Sequence, residues 1–163
     1  MKCIGLLSDT HGYLHPEIPR VFAQCDEIWH AGDFGDISVA HRLRALKPLR
    51  GVFGNIDGRE IRWEFPEMLR FDYGGLQVIM THTGGYPGNY APGIANMLKN
   101  HSPALFISGH SHILKVMYDK KLGLLHINPG AAGRSGFHKT ITMMRLFISG
   151  PVMKDLEIIE FKR

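Results

Sequence analysis

The sequence predicts an α/β protein in which two β-sheets share one core. Through the first half, short apolar runs alternate with segments of helical period, the rhythm of βαβ units. From residue 113 onward the pattern changes to strands joined by short turns, with no helix. No linker, internal repeat or low-complexity stretch separates the halves. A chain of 163 residues, 44% hydrophobic, supports one sizeable core and is short for two, so residues 1–163 are expected to form one domain.

The elements follow in order. A first strand over Lys2–Leu7 precedes a helix from about Glu17, with Pro16 suited to its first turn. A second strand, Glu27–His30, leads into a helix that Asp36 can cap. Its Ile37, Ala40, Leu43 and Leu46 recur at i, i+3 spacing, and Lys47 and Pro48 end it. Arg50–Phe53, Leu76–Met80 and Leu105–Ser108 are further runs of strand length, with a helix from Pro92 to about Asn100 between the last two. "YDKKLGLL" and "FISGPVMK" read as antiparallel hairpins. The Gly- and Pro-rich "GGYPGNYAP", residues 84–92, reads as a surface loop suited to lie over a site.

Lys and Arg number 19 against 15 Asp and Glu, a formal charge of +4 that favours anionic ligands mildly. The basic residues are scattered rather than gathered on one helix or face, so a phosphate-bearing small molecule fits better than a nucleic acid. No apolar run approaches a membrane span, and Cys3–Leu7 is shorter than a signal-peptide core. Cys3 and Cys25, without CxxC spacing, are expected to be buried thiols in a reducing cytosol. These features lead us to expect a cytoplasmic protein that does not enter membranes.

Five apolar runs end alike, in "GLLSDTH", "IWHAGD", "GVFGN", "VIMTH" and "FISGHSH". Each is followed by a small residue and a metal-ligand type, and ligands of open α/β sheets collect outside the carboxyl ends of the strands. The collected side chains are Asp9, His11, Asp33, Asn55, His82, His110 and His112. Asp9 with His11, and His110 with His112, are spaced i, i+2, which puts both on one side if the backbone stays extended. Oxygen and nitrogen donors without a thiolate, too many for one tetrahedral ion, suit two divalent ions with Asp33 as the bridge. Such a pair is suited to in-line displacement at phosphorus by a hydroxide bridging the ions.

Singly, these residues have ordinary explanations: Asp9 as a turn cap, Asn55 in a left-handed turn, His82 as a satisfied core histidine. Their joint occurrence at five strand ends favours the functional reading, because an unligated cluster would leave costly polar groups at the sheet edge. His15, His30, His41, His101, His126 and His138 are expected to be structural. "NPGAAGRSG", residues 128–136, lacks the lysine of a P-loop and reads as a turn; Arg134 within it can reach a phosphate oxygen.

Taken together, "DTH" at 9–11, "GD" at 32–33, "GN" at 54–55, "TH" at 81–82 and "GHSH" at 109–112 resemble the calcineurin-like metallophosphoesterase superfamily, and "NPG" at 128–130 its small single-domain bacterial and archaeal phosphodiesterases. The resemblance covers nearly the whole chain. It implies a four-layer α/β/β/α sandwich of two mixed sheets flanked by helices. It assigns Asp9, His11, Asp33 and His112 to one ion, and Asp33, Asn55, His82 and His110 to the other. The ions would be Mn2+ first, with Zn2+, Fe2+ or Ni2+ as alternatives. Asp33, Asn55 and His82 are the expected catalytic residues, and Asn55 and Arg134 the expected phosphate contacts.

Many superfamily members place histidine after the "GN" asparagine, where it protonates the leaving group or binds phosphate; this chain has Ile56. The change favours diesters whose leaving group needs little protonation. Asp57 is a candidate substitute acid or a partner orienting a histidine ligand, and Thr83 stands where glycine is common. The expected function is therefore metal-dependent hydrolysis of a small-molecule phosphate diester. The alternatives are a non-catalytic protein-binding scaffold resembling a retromer subunit of this fold, and a nuclease. The apolar residues of the C-terminal hairpins would suit a homo-oligomer interface.

Overall fold

Apolar residues run continuously through the central strands because those strands are buried on both faces. The computed structural model describes residues 1–163. Its elements are β1 Lys2–Leu7, α1 Ile18–Val21, β2 Glu27–His30, α2 Ile37–Leu46, β3 Leu49–Gly51, α3 Arg59–Glu64, β4 Met68–Tyr73, β5 Leu76–Thr81, β6 Gly85–Tyr86, β7 Asn89–Tyr90, α4 Ile94–His101, β8 Leu105–Ile107, β9 Leu114–Asp119, β10 Leu124–Pro129, β11 Thr140–Ser149 and β12 Val152–Lys162.

Two mixed five-stranded sheets form, ordered β12-β11-β1-β2-β3 and β4-β5-β8-β10-β9, with β6 and β7 as a separate small hairpin. Alternation along the strands then builds the layers. Ile4, Leu6, Trp29, Met144 and Leu146 face Val78, Met80, Ile107 and Ile127 of the other sheet. The opposite face of the first sheet, through Leu7, Ile28 and Met143, packs on Phe22, Leu43, Ile61 and Phe65 from the α1–α3 side. On the second sheet, Ile79, Phe106 and Leu124 pack under Ile94 and Leu98 of α4. The order is helices, sheet, sheet, helix, the expected four-layer sandwich.

Register decides where the site forms. β1, β2 and β3 are parallel, with Leu7 opposite His30 and His30 opposite Gly51. β5, β8 and β10 are parallel as well, with Met80 and Ile127 both opposite Ile107. The loops leaving β1, β2, β3, β5 and β8 therefore emerge together along one edge of both sheets.

Several expected boundaries differ. The first helix is a single turn whose N-terminal proline is Pro19; Pro16 lies in the turn before it. Asp36 caps α2 as expected, its side chain accepting from Ser38 N at 2.7 Å, but Val39 joins Ala40 and Leu43 inside while Leu46 is exposed. The third strand is Leu49–Gly51 rather than Arg50–Phe53, because Val52 and Phe53 already belong to the loop toward Asn55. α3, β4 and the β6–β7 hairpin were not anticipated. Both expected C-terminal hairpins form, β9 with β10 and β11 with β12. Cys25 is buried but Cys3 only partly so; their sulfurs touch at 3.3 Å, and burial pushes the Cys25 thiol up to about 12. No helix is long and apolar enough to cross a membrane.

Candidate metal centre

Backbone geometry at the strand ends aims the side chains. Asp9, His11, Asp33, His110 and His112 all have positive φ, between 46° and 70°. The extended path expected after β1 and β8 is therefore absent, and the i, i+2 argument fails in its mechanism. The left-handed residues redirect each side chain individually, keeping Asp9 with His11 but not His110 with His112. His110 and His112 part company as a result: Asp9, His11 and His112 form one group of facing donor atoms, and Asp33, His82 and His110 form the other.

Asp9 is fully buried. Its Oδ2 accepts from Ser8 Oγ at 2.6 Å and His110 N at 3.1 Å, leaving Oδ1 to face His112 Nε2 at 3.1 Å, His11 Nε2 at 3.7 Å and His82 Nε2 at 3.8 Å. Asp33 divides its oxygens similarly: Oδ1 accepts from Ile56 N at 3.1 Å, and Oδ2 stands 3.1 Å from His82 Nε2 and 3.5 Å from His11 Nε2. One carboxylate oxygen of Asp33 thus looks into both groups. His82 Nδ1 donates to the Ala31 carbonyl at 2.7 Å, which fixes the ring and turns Nε2 toward the carboxylates. Asn55 reaches the centre through His110, accepting from its Nδ1 at 3.0 Å.

Whether these residues fit metal ions is tested by their unmatched atoms. Asp9 Oδ1, His11 Nε2 and His82 Nε2 are buried without a hydrogen-bond partner, although isolated buried polar atoms are costly. Acceptor-only oxygens facing imidazole lone pairs need a cation or a proton between them. Without a metal, protons take that place. The Asp9 carboxylate facing it at 3.7 Å raises His11 above the usual imidazole range. Burial would lower His82, but the facing Asp33 carboxylate and the charge of Asp9 outweigh burial and raise it too. Burial would raise Asp9 and Asp33, yet their histidine partners hold both carboxyls below the usual range. The residues fit a dinuclear divalent site.

Glycine permits this crowding. A Cβ on Gly54 would lie 1.9 Å from Asp33 Oδ1, and one on Gly109 would lie 2.2 Å from Ser8 Oγ. Asp57, expected either to act as an acid or to orient a histidine, makes no hydrogen bond to a histidine. Its carboxylate accepts from the backbone N–H groups of Phe34, Gly35 and Gly54 at 3.2, 2.9 and 2.8 Å, tying the β2 and β3 loops together. Arg134 is exposed, donates to Tyr13 Oη at 3.0 Å and lies over that ring.

Three further residues belong to the surroundings. His30 is fully buried and stacked on Phe34; burial pushes it down to about 3, so it stays neutral and links Gly32 N to Thr10 Oγ1. His138, expected to be merely structural, sets its ring 5.2 Å from that of His112. Arg62 donates to the Asp57 carbonyl at 2.6 Å and to those of Gly54 and Asn55 at 3.4 Å, bracing the loop that carries Asn55. No strand-end pattern marks His138 or Arg62, so neither was legible as part of the site. Two cavities flank the centre and share Thr83, one of about 320 Å³ beside His110 and one of about 270 Å³ beside Asn55 and His82.

Comparison with known proteins agrees with this fold. Vps29 from Chaetomium thermophilum superposes with a TM-score of 0.77 at 14% identity, covering 100% of both chains. A predicted phosphoesterase from Streptococcus pneumoniae gives 0.69 at 22% identity, covering 99% of this chain and 98% of that one. Vps29 from Entamoeba histolytica complexed with Zn2+ gives 0.71 at 17%, covering 98% of each. These likenesses establish the fold. A search of curated proteins finds no match. The family profile for the calcineurin-like phosphoesterase superfamily domain matches residues 1–150, and with most of the chain so matched, the protein belongs to the calcineurin-like phosphoesterase superfamily.

Proposed function

We propose that the protein is a dinuclear metal-dependent phosphodiesterase acting on a small phosphate diester. The observation that carries this reading is the pair of facing donor groups, with unmatched atoms of Asp9, His11 and His82 buried between them. Asp9, His11 and His112 would hold one ion and His82 and His110 the other, with Asp33 shared and Asn55 beside His110. Two divalent ions supply a nucleophile at neutral pH and withdraw charge from the phosphoryl oxygens.

The chain's own residues do the rest. Ser8 and the His110 N–H keep Asp9 oriented, while the Ile56 N–H does the same for Asp33. Ala31 holds His82 in the tautomer that leaves Nε2 free. The Ile56 side chain, 48% exposed at the rim, offers no proton to a leaving group, and Asp57 is fully engaged by backbone amides. Neither position 56 nor position 57 thus offers the leaving group a proton, which supports diesters with stable leaving groups over monoesters. Manganese is the first ion to try, and cytoplasmic residence and action on a diffusible substrate belong to the same proposal.

The test is hydrolysis of bis(p-nitrophenyl) phosphate by chelator-stripped protein before and after manganese is restored. Turnover that returns with the metal sustains the proposal. Folded, metal-loaded protein that stays inactive across manganese, zinc, iron and nickel overturns it. A second reading, a protein-binding module, draws on apolar side chains around the same edge: Phe137 is fully exposed, Ile113 61% and Ile56 48%. A Chaetomium thermophilum Vps29 with a TM-score of 0.63 was solved in complex with a cyclic peptide, a partner of that protein.

A further inference from the structure

The two cysteines of the chain meet at the start of β1 and β2, the far end of those strands from Asp9 and Asp33. β1 and β2 run parallel with Ile4 opposite Glu27. The pairing continues one residue back, Asp26 N donating to the Cys3 carbonyl at 2.7 Å and Cys3 N donating to the Asp26 carboxylate at 2.9 Å. Cys25 N donates to the Phe22 carbonyl at 3.0 Å. Both backbones are thus anchored. Both side chains lie on the helical face of the first sheet, where Cys25 belongs to the cluster of Phe22 and Ile28 and Cys3 packs against it. Their Sγ atoms stand 3.3 Å apart. In a disulfide the separation is about 2 Å, a gap of the size that side-chain rotation closes.

The two thiols differ in access, and that difference assigns them roles. Cys3 is partly exposed, so a small oxidant reaches its sulfur. Cys25 is buried, and burial pushes its thiol up to about 12. The charge of Cys3 adds to that rise, a contribution that ends once Cys3 is oxidised, whereas Arg145 and Lys47 favour the Cys25 thiolate. Cys25 therefore resists direct oxidation but stands against the sulfur that is oxidised first. The chain holds no third cysteine to compete for it.

We propose that Cys3 and Cys25 form a site of reversible oxidation by a hydroperoxide, the product being an intramolecular disulfide that staples β1 to the segment entering β2. Hydrogen peroxide transfers one oxygen to Cys3 Sγ, giving a sulfenic acid and one water. Cys25 Sγ then attacks Cys3 Sγ; the S–S bond forms as the S–O bond breaks, and the hydroxyl leaves with the Cys25 proton as a second water. The two thiols lose two electrons and one peroxide becomes two waters. A small thiol in excess reverses the step by exchange. The loop so closed contains Asp9 and His11, so the staple opposes any opening of the chain that would release them. It does not depend on the phosphodiesterase reading.

The experiment treats reduced protein, freed of small thiols, with excess hydrogen peroxide, stops the reaction with catalase and counts thiols in denaturant with dithionitrobenzoate. The count should fall from two to none, and trypsin should release residues 3–20 and 21–42 as one species that dithiothreitol separates. Urea titration should show a folding equilibrium about 100-fold more favourable after oxidation, as closure of a loop of this length predicts, and dithiothreitol should reverse it. Cys25→Ser should show no such gain and should hold Cys3 as a sulfenic acid that dimedone captures, while Cys3→Ser should leave Cys25 unreacted. The wild-type thiol count decides the matter even if a serine variant fails to fold. Two thiols that survive in folded protein while urea-unfolded protein reacts overturn the proposal. Disulfides found only between chains, or Cys3 carried to sulfinic acid beside an intact Cys25 thiol, overturn it as well.

Discussion

Acidification should destabilise this protein through His126 by an amount that can be isolated. Its folded-state value is near 4, against 6.5 for an unperturbed imidazole, because burial opposes the charged ring. Between those values the unfolded chain binds a proton that the folded protein refuses, so stability falls as pH falls. From pH 7.5 to 5.0 the linkage integral gives a loss of about 2 kcal/mol for this one group. His30, near 3, contributes with the same sign, whereas the raised His11 and His82 contribute with the opposite sign, stabilising the fold below 6.5 and losing that effect as pH rises. A double difference cancels these others. Urea denaturation of chelator-stripped wild type and His126→Gln at both pH values should show the wild type losing about 2 kcal/mol more than the variant, glutamine retaining an N–H for Ser108. A double difference below about 0.5 kcal/mol would mean that His126 is protonated or solvated in the folded protein, and the reasoning would be wrong.

Gly54→Ala should cut manganese binding measured by plasma mass spectrometry, since its Cβ would meet Asp33 Oδ1 at 1.9 Å, while Gly58→Ala, with nothing within 4 Å, should bind normally. Asp57→Asn should destabilise the fold by roughly 1–3 kcal/mol in urea titrations, because an amide cannot accept all three backbone N–H bonds; unchanged stability would refute its role as a tie. Metal affinity should weaken on acidification, since protons compete for the raised His11 and His82; calorimetry in buffers of different ionisation enthalpy should detect proton release on loading. Ile56→His should raise the monoester-to-diester activity ratio, and an unchanged ratio would count against the leaving-group argument.

How much was legible depended on periodicity and on backbone freedom. β1, β2 and α2 declared themselves through apolar runs and the Asp36 cap. α3 has six residues and buries only Ile61, too little for a helical stripe to show. β4 does alternate, Leu69, Phe71 and Tyr73 against Arg70 and Asp72, but Arg70 and Asp72 break its apolar run and masked the signal. At the site, strand ends brought the seven expected side chains to one edge, since parallel register aligns those ends. Their sorting into two groups was not legible. It depends on left-handed backbone at five non-glycine residues, for which flanking glycines are only an indirect sign.

That backbone has a consequence for how the chain tolerates change. Among non-glycine residues only six adopt positive φ, and five of them are Asp9, His11, Asp33, His110 and His112. Each holds a conformation that costs an L-residue roughly 1–2 kcal/mol and glycine almost nothing. Replacing any of them by glycine would relax the chain while deleting a donor atom. Selection for stability alone would therefore erode this edge of the molecule first, and a descendant released from its chemistry would drift toward a firmer but inert protein. Holding all five donors in that conformation is thus a cost to the fold that glycine at the same positions would not carry.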